Sequence, residues 1–356
     1  MKSILTISAI FFLSSVKAQN IISYKDSTIL DTVKTTVIEK DTIWREQWLY
    51  VSLPHDTSYP ITSIKYGSHV VKIPVYAPPV TTMYGLKSEQ KTIPETEALL
   101  KSSNINLVRA IVFYRDNYYS KSVDTYLADG YNVQINFNYA PTDDPVDFPT
   151  DTAFIRAQAE KFFAYYKPHI NKIPVVAVEN EWDNLNYHSN NINFYITELK
   201  IVTEVGHKYG FKIADAGFTG AGLQRWTYSK LSGDSAKDWL SKFFVAPGRS
   251  DYPVFLAEIN TYAAAVKSIP IDYINWHWYG KTGCWNGLQT ALSYYLKATG
   301  KTNHITNEFG AHDSQYWNCT VAEVQKAAPP IAIAYSGQSL DSKAVELDLS
   351  MLQVLK

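Results

Sequence analysis

Between residues 81 and 337 the chain repeats one pattern: a short apolar run, a polar loop, then a longer segment with apolar positions at helical spacing. The clearest run is Ile173-Pro174-Val175-Val176-Ala177-Val178, which ends abruptly in Glu179-Asn180-Glu181-Trp182-Asp183-Asn184. Six apolar residues rich in Val, with Pro174 near their start, are too few for a typical helix and read as a buried strand. A strand apolar along its whole length is expected in a parallel sheet covered on both faces. Seven more segments read as strands: 83–86, 106–113, 132–138, 211–217, 271–279, 304–308 and 331–335. Helical patterns separate most of them, at 94–102, 122–128, 193–209, 288–298 and 321–327, with one or two helices in 234–268. Another helix is capped by Asp151 and is expected to bury Phe154, Ala157, Phe162 and Tyr165. Strand–helix alternation implies a parallel sheet, and eight such units over roughly 260 residues predict an α/β protein, a closed (β/α)8 TIM barrel over residues 81–356. A doubly wound sheet is the alternative, but the Gly-rich phosphate loop it usually carries is absent from the sequence.

The first 80 residues follow a different pattern. Residues 1–18 read as an export signal, with Lys2, an apolar run from Ile4 to Val16, and a cleavage position after Ala18. That run is too short for a permanent membrane span, so a secreted or periplasmic protein is expected. Residues 19–80 are rich in Thr, Asp and β-branched residues and read as an N-terminal extension, with strands expected around 44–51 and 69–75. Prolines 54, 60, 74, 78 and 79 argue there against a long regular element.

A net charge of −1 provides no basic field for nucleic acid, and a monomer is expected. The 26 Tyr and 9 Trp are a high load that suits either a large core, which accounts for most of them, or a cleft that stacks on sugar faces. Two or three of Trp182, Trp276, Trp278, Trp285 and Trp317 are expected to line it. Cys284 and Cys319 are the two cysteines, and they fall in loops after the sixth and seventh strands. In an oxidising compartment they are expected to form a disulfide, since neither belongs to a zinc-type cluster.

In a barrel the strand C-termini converge on one site. Those ends carry Arg109, Asn136 and Asn138, Asn180-Glu181, His277-Trp278-Tyr279, Asn307-Glu308 and Tyr335. Two glutamates on the fourth and seventh strands suit glycosidic cleavage, which needs one carboxyl to protonate the leaving oxygen and one to attack the anomeric carbon. Glu179 is the alternative inward carboxylate if the register of the fourth strand differs. A His-x-His metal pair on an early strand and a Gly-x-Ser-x-Gly elbow are both missing from the sequence, so no metal or organic cofactor is expected.

With Asn180-Glu181 ending the fourth strand, Glu308 the seventh and His277-x-Tyr279 the sixth, the segment from Thr81 to Gly337 resembles clan A of the glycoside hydrolases, the retaining "4/7" superfamily. The resemblance implies that Glu181 is the acid/base and Glu308 the nucleophile. It implies that Asn180 binds the sugar 2-hydroxyl, that Arg109 and Tyr279 orient the nucleophile, and that His277 lines the pocket. Asn138, Trp182 and Tyr335 complete the expected substrate-binding set, for a β-linked polysaccharide or oligosaccharide. Many clan members carry His where this chain has Asn136 and Asn138, and Trp where it has Tyr335. A non-catalytic glycan-binding barrel and a retaining transglycosylase remain open on these residues.

Overall fold

The structure, a computed structural model, describes residues 81–355 apart from 89–90, 116–120, 141–147, 185–187, 189–190, 244, 281–283, 285–286 and 338–344. Before residue 81 it describes strand backbone only. The chain divides into two compact units, Met1–Pro79 and Val80–Lys356.

In the first unit Ser27–Glu39 and Thr42–Pro54 pair antiparallel, as do Ser63–Tyr66 with His69–Lys72 and Ile4–Thr6 with Ser23–Lys25. The long hairpin exceeds the short strand expected around residues 44–51. Its β-branched residues favour extended backbone, and the first proline, Pro54, falls at its last position, where no further pairing is interrupted. Most of the export-signal segment, residues 7–18, lies outside the described residues.

The second unit is a (β/α)8 barrel. Its strands are β1 (Met83–Ser88), β2 (Leu107–Phe113), β3 (Asn132–Asn138), β4 (Val176–Val178), β5 (Ile213–Ala214), β6 (Ile274–Gly280), β7 (His304–Ala311) and β8 (Ile331–Ser336). They pair in parallel in the order β5-β4-β3-β2-β1-β8-β7-β6. Parallel bridges Ala214↔Tyr273 and Phe218↔Trp276 bring the two edges together. Around the strands lie α1 (Ile93–Ser103), α2 (Lys121–Ala128), α3 (Thr152–Tyr166), α4 (Ile192–Tyr209), α5 (Gly220–Tyr228), α6 (Gly233–Lys242), α7 (Tyr252–Val266), α8 (Leu288–Thr299), α9 (Trp317–Ala327) and α10 (Leu349–Gln353). Among the described residues, no helix is long and apolar enough to cross a membrane.

Two details differ from the sequence expectation. Helix α3 buries Ile155, Ala159, Phe162, Phe163 and Tyr166, whereas Ala157 and Tyr165 are exposed. The stripe at i, i+4, i+7 and i+11 from Ile155 faces the sheet, about one residue round from the face expected. Helix α5 carries little helical signal because Gly220 and Gly222 lie in its first turn. Thr219 caps it by accepting from Gly222 N at 2.8 Å. A Cβ on Gly222 would come within 2.0 Å of Asp183 Oδ2, so close packing outweighs propensity there.

The pleat divides the core in two. Leu107, Val175, Ala177, Ala214, Ile305, Ile331 and Ile333 form a small apolar cluster. These are the inward positions, the floor of the barrel. The alternate residues Val108, Val176, Val178, Trp276 and Trp278 belong to the large core shared with the helices. Above the floor the inward positions turn polar, beginning with Arg109 on β2 and Asn136 on β3, both buried. Buried polar groups need partners, so this layer must be a network.

Cys284 and Cys319 are disulfide-bonded with Cα atoms 5.4 Å apart. The bond ties the segment after β6 to the first turn of α9. Reducing it is expected to lower stability by roughly 3–4 kcal/mol on the chain-entropy estimate. Thiol titration of the denatured, unreduced protein checks it and should find no free thiol.

Candidate active site

The end of β4 departs from strand geometry. Strict alternation after Ala177 (in) and Val178 (out) would turn Glu179 in and Asn180 out. Glu179 has φ +69° and Glu181 φ +49°, both in the left-handed region that non-glycine residues avoid. The first inversion sends the Glu179 carboxyl out toward the helices, where Oε1 accepts from Tyr139 N at 2.5 Å. Asn180 instead meets the barrel interior, its Oδ1 accepting from Arg109 Nη2 at 2.6 Å. Glu181 follows inward. A 2.9 Å hydrogen bond from His188 Nε2 to the Asn180 carbonyl stabilises the turn. Burial lowers the His188 pKa to about 4, so the ring is neutral with its proton on Nε2.

On β7 a β-bulge does the equivalent work. Thr306 pairs with Ala332 and Phe309 with Ala334, so β7 spends one more residue than β8 over that span. On its other side, Ile305 and Glu308 pair with Asn275 and His277, again one residue more. Bulges re-aim side chains in this way. Asn307 and Glu308 therefore both reach the interior, while Phe309 turns out to stack on Trp317.

Strand β6 keeps its alternation. Asn275, His277 and Tyr279 face in. Trp276 and Trp278 face out, the latter donating Nε1–H to Glu323 of α9 at 2.7 Å.

These elements bring Glu181 and Glu308 into one pocket. One oxygen of each and a ring nitrogen of His277 all lie within 4.8 Å of one another. Glu308 Oε2 accepts from Arg109 Nη1 at 2.6 Å, and Oε1 accepts from Tyr279 at 2.5 Å. Arg109 also donates to Asn136 Oδ1 and to the Asn307 carbonyl. Burial alone would raise the pKa of Glu308, but the charges of His277 and Arg109 and the Tyr279 hydroxyl outweigh it and hold the carboxyl below its ordinary value. Glu308 is therefore an ionised, fixed carboxylate.

Glu181 has different partners. Oε1 meets His277 Nδ1 at 2.8 Å, and Oε2 accepts from Asn184 Nδ2 at 2.7 Å. His277 Nε2 meets Asn307 Oδ1 at 2.8 Å, and Asn275 Nδ2 donates to the same oxygen. An amide oxygen accepts only, so Nε2 carries a proton. Burial would lower the pKa of His277, but Glu308 and Glu181 outweigh it and raise it. The Glu181–His277 contact thus holds a proton that can move along one hydrogen bond.

Gly217 has φ +88°, and a Cβ there would lie 2.6 Å from His277 Nε2. Gly217→Ala is expected to displace the imidazole and lower kcat by roughly 10²-fold, the scale for a misplaced catalytic contact. Steady-state kinetics on folded protein, verified by circular dichroism, would contradict this if kcat were unchanged.

Of the remaining expected residues, Tyr335 lies edge-on to Tyr279 with centroids 6.1 Å apart. Asn138 is buried two residues beyond Asn136 on the same side of β3, and its Oδ1 accepts no hydrogen bond among the described residues. Trp182 is not at the glutamates. Its indole stacks on Phe218 and packs against Tyr195 and Tyr262 beneath the helices, 4% exposed. Trp276, Trp278 and Trp317 are also core residues, and Trp285 lies outside the described residues. The second left-handed residue, at Glu181, is what carries the chain outward again to Trp182. Asn184 and Asn275 are not singled out from sequence, and Asn307 is placed at a strand end without a role. Only Asn307 gives a signal there, as the neighbour of Glu308.

No protein-family model matches the chain, and no curated protein does. Solved structures similar to it include an exo-β-1,4-mannosidase from an Opitutaceae bacterium, at 12% identity and TM-score 0.47. That match covers 77% of this chain and 59% of the mannosidase, so the chain spans less than two thirds of its length. A family 128 endo-β-1,3-glucanase from Pseudomonas viridiflava matches at 14% identity and TM-score 0.46, over 76% of this chain and 96% of that one. A family 39 glycoside hydrolase from Bacteroides cellulosilyticus matches at 14% identity and TM-score 0.43, over 91% and 66%.

Proposed function

We propose that the chain is a retaining glycoside hydrolase that cleaves β-linked polysaccharides or oligosaccharides by double displacement. The observation that carries this reading is the pair of buried glutamates with unlike partners, an oxygen of each lying within 4.8 Å of the other. That proximity supports the retaining spacing of roughly 5–5.5 Å over the roughly 6.5–9.5 Å that leaves room for an inverting water.

Glu308, held ionised by Arg109, His277 and Tyr279, attacks the anomeric carbon and forms a glycosyl ester. Glu181 passes the proton it holds with His277 to the leaving oxygen. It then takes a proton from the water that hydrolyses the ester. Asn180, fixed by Arg109 beside the nucleophile, is placed to bind the adjacent sugar hydroxyl. Both Glu308 oxygens already accept hydrogen bonds, and Arg109 and His277 supply the local positive charge, so this chemistry is written without a metal or organic cofactor. The N-terminal export pattern and the disulfide suit an enzyme working outside the cytoplasm, where such bonds persist.

The test is a panel of β-glucans, mannans and xylans incubated with purified protein. New reducing ends should appear, and proton NMR of the first product should show the β-anomer. An initial α-anomer would replace retention with inversion. Binding without any new reducing end would leave a glycan-binding barrel.

A further inference from the structure

A second pair of carboxyls lies directly behind the first. Glu179 and Glu198, the latter on α4, are 1% and 0% exposed and meet side chain to side chain. Glu179 Oε1 accepts from Tyr139 N, and Glu198 Oε1 accepts from Tyr114 Oη at 2.6 Å. Among the described residues, no N–H or hydroxyl donates to Glu198 Oε2. Two buried carboxylates facing each other would repel. A proton between them removes one charge and supplies the missing donor. The pair also sits at the strained point of β4, because Glu179 is the left-handed residue that turns Asn180, and after it Glu181, into the barrel.

We propose that Glu179 and Glu198 share a proton, and that this buried acid pair is the clamp that holds the end of β4 in the conformation presenting Asn180 and Glu181 to the pocket. The inference rests on the glycosidase reading of Glu181. Neither residue touches substrate, so both are positioning residues. Among the described residues, the titratable side chains facing the pair are Tyr114, beyond β2, and Tyr195, on α4, whose hydroxyls burial and the neighbouring carboxyls hold well above the ordinary value, while Tyr139 meets Glu179 through its backbone N–H. Burial first, and then the mutual repulsion, push the Glu179 carboxyl well up, and burial raises Glu198 to about 7. Both values lie above the ordinary carboxylate value of 4.5. The folded state therefore binds more protons than the unfolded one. The stability contributed is fully present below that value and is lost as pH rises through the folded values.

The experiment compares the full-length wild type with Glu198→Gln, Glu198→Leu and Glu179→Gln. Glutamine at 198 keeps a neutral donor opposite Glu179, whereas leucine removes it. In the wild type the denaturant midpoint should fall as pH rises from about 5 to about 8, and Glu198→Gln should flatten that slope. Infrared difference spectra across the same range should show a protonated carboxyl that disappears in Glu198→Gln and in Glu179→Gln. On a natural glycan, whose leaving group needs the Glu181 proton, Glu198→Leu should lose roughly 10²-fold in kcat, and Glu198→Gln should restore most of it. A Glu198→Leu protein too unstable to assay leaves the decision to the two glutamine variants. A slope and carboxyl signal identical in wild type and Glu198→Gln would overturn the shared proton. A Glu198→Leu enzyme with wild-type kcat would overturn the clamp. If the wild type hydrolyses no glycan, the function reading fails, while the slope and the infrared band still decide the pair.

Discussion

Glu308→Ala should abolish turnover of natural and activated glycosides alike, by roughly 10⁴-fold or more, as when a covalent nucleophile is removed. Glu181→Ala should behave differently. A sugar leaving group is a poor alkoxide and needs a proton, so hydrolysis of natural glycan should fall by about 10²–10⁴. A nitrophenolate leaves without one, so the first step on a nitrophenyl glycoside should largely survive. The glycosyl-enzyme should then accumulate, because the water that releases it has lost its base. Azide needs no base and should restore turnover, giving the β-glycosyl azide from a β-glycoside. The two sets of hydrogen bonds motivate this division, with a guanidinium and a phenol on Glu308 but an imidazole and an amide on Glu181. Mass spectrometry of the trapped enzyme and NMR of the azide product read it out. A β-azide from Glu308→Ala, with an α-azide from Glu181→Ala, would exchange the two roles.

Arg109→Met should be the most destabilising change in the pocket. The guanidinium is buried and donates to Glu308, Asn180, Asn136 and the Asn307 carbonyl, on three other strands or strand ends. Removing one partner of a buried ion pair costs about 3–5 kcal/mol, because the other charge is left uncompensated. Urea unfolding at pH 7 measures it. The effect also has a pH signature. The Glu308 carboxyl is held below its ordinary value of 4.5, so its contribution to stability is present above that value and is lost as pH falls through the lowered one. Without Arg109 the burial effect is less opposed and the carboxyl rises. The acid limb of kcat/KM should then move to higher pH, with His277 alone supplying the remaining charge. An unshifted limb would show that His277, not Arg109, keeps Glu308 ionised.

Much of this arrangement was legible in the chain itself. The apolar runs ending in polar residues located every barrel strand, because a strand buried on both faces has no polar alternation to obscure it. The same runs put Glu181, Glu308, Arg109, His277 and Tyr279 at strand ends. Helix α5 escaped notice because its two glycines reflect packing against Asp183 rather than helical preference. The tryptophans misled for a related reason. Residue type shows that Trp276 and Trp278 can stack on a sugar, but the pleat of β6 turns both toward the helices.

Which carboxylate faces the pocket is a subtler matter. Alternation counted from Val178 places Glu179 inward, and alternation counted from Ile305 places Glu308 outward. Both counts fail, at β4 through a left-handed residue and at β7 through a bulge. Neither departure has a local sequence signature, since Glu is not a residue that favours positive φ and the bulge contains no glycine. They persist because distant groups hold them: Tyr139 and Glu198 on Glu179, Asn136 on the Glu179 carbonyl, and Arg109 on the Asn307 carbonyl and on Glu308. By itself, then, the sequence determined the barrel and the strand ends where chemistry can occur, because hydrophobic periodicity is a local property of the chain. Tertiary structure decided which side chains meet there, because the backbone conformations that aim them are stabilised only by partners tens to hundreds of residues away.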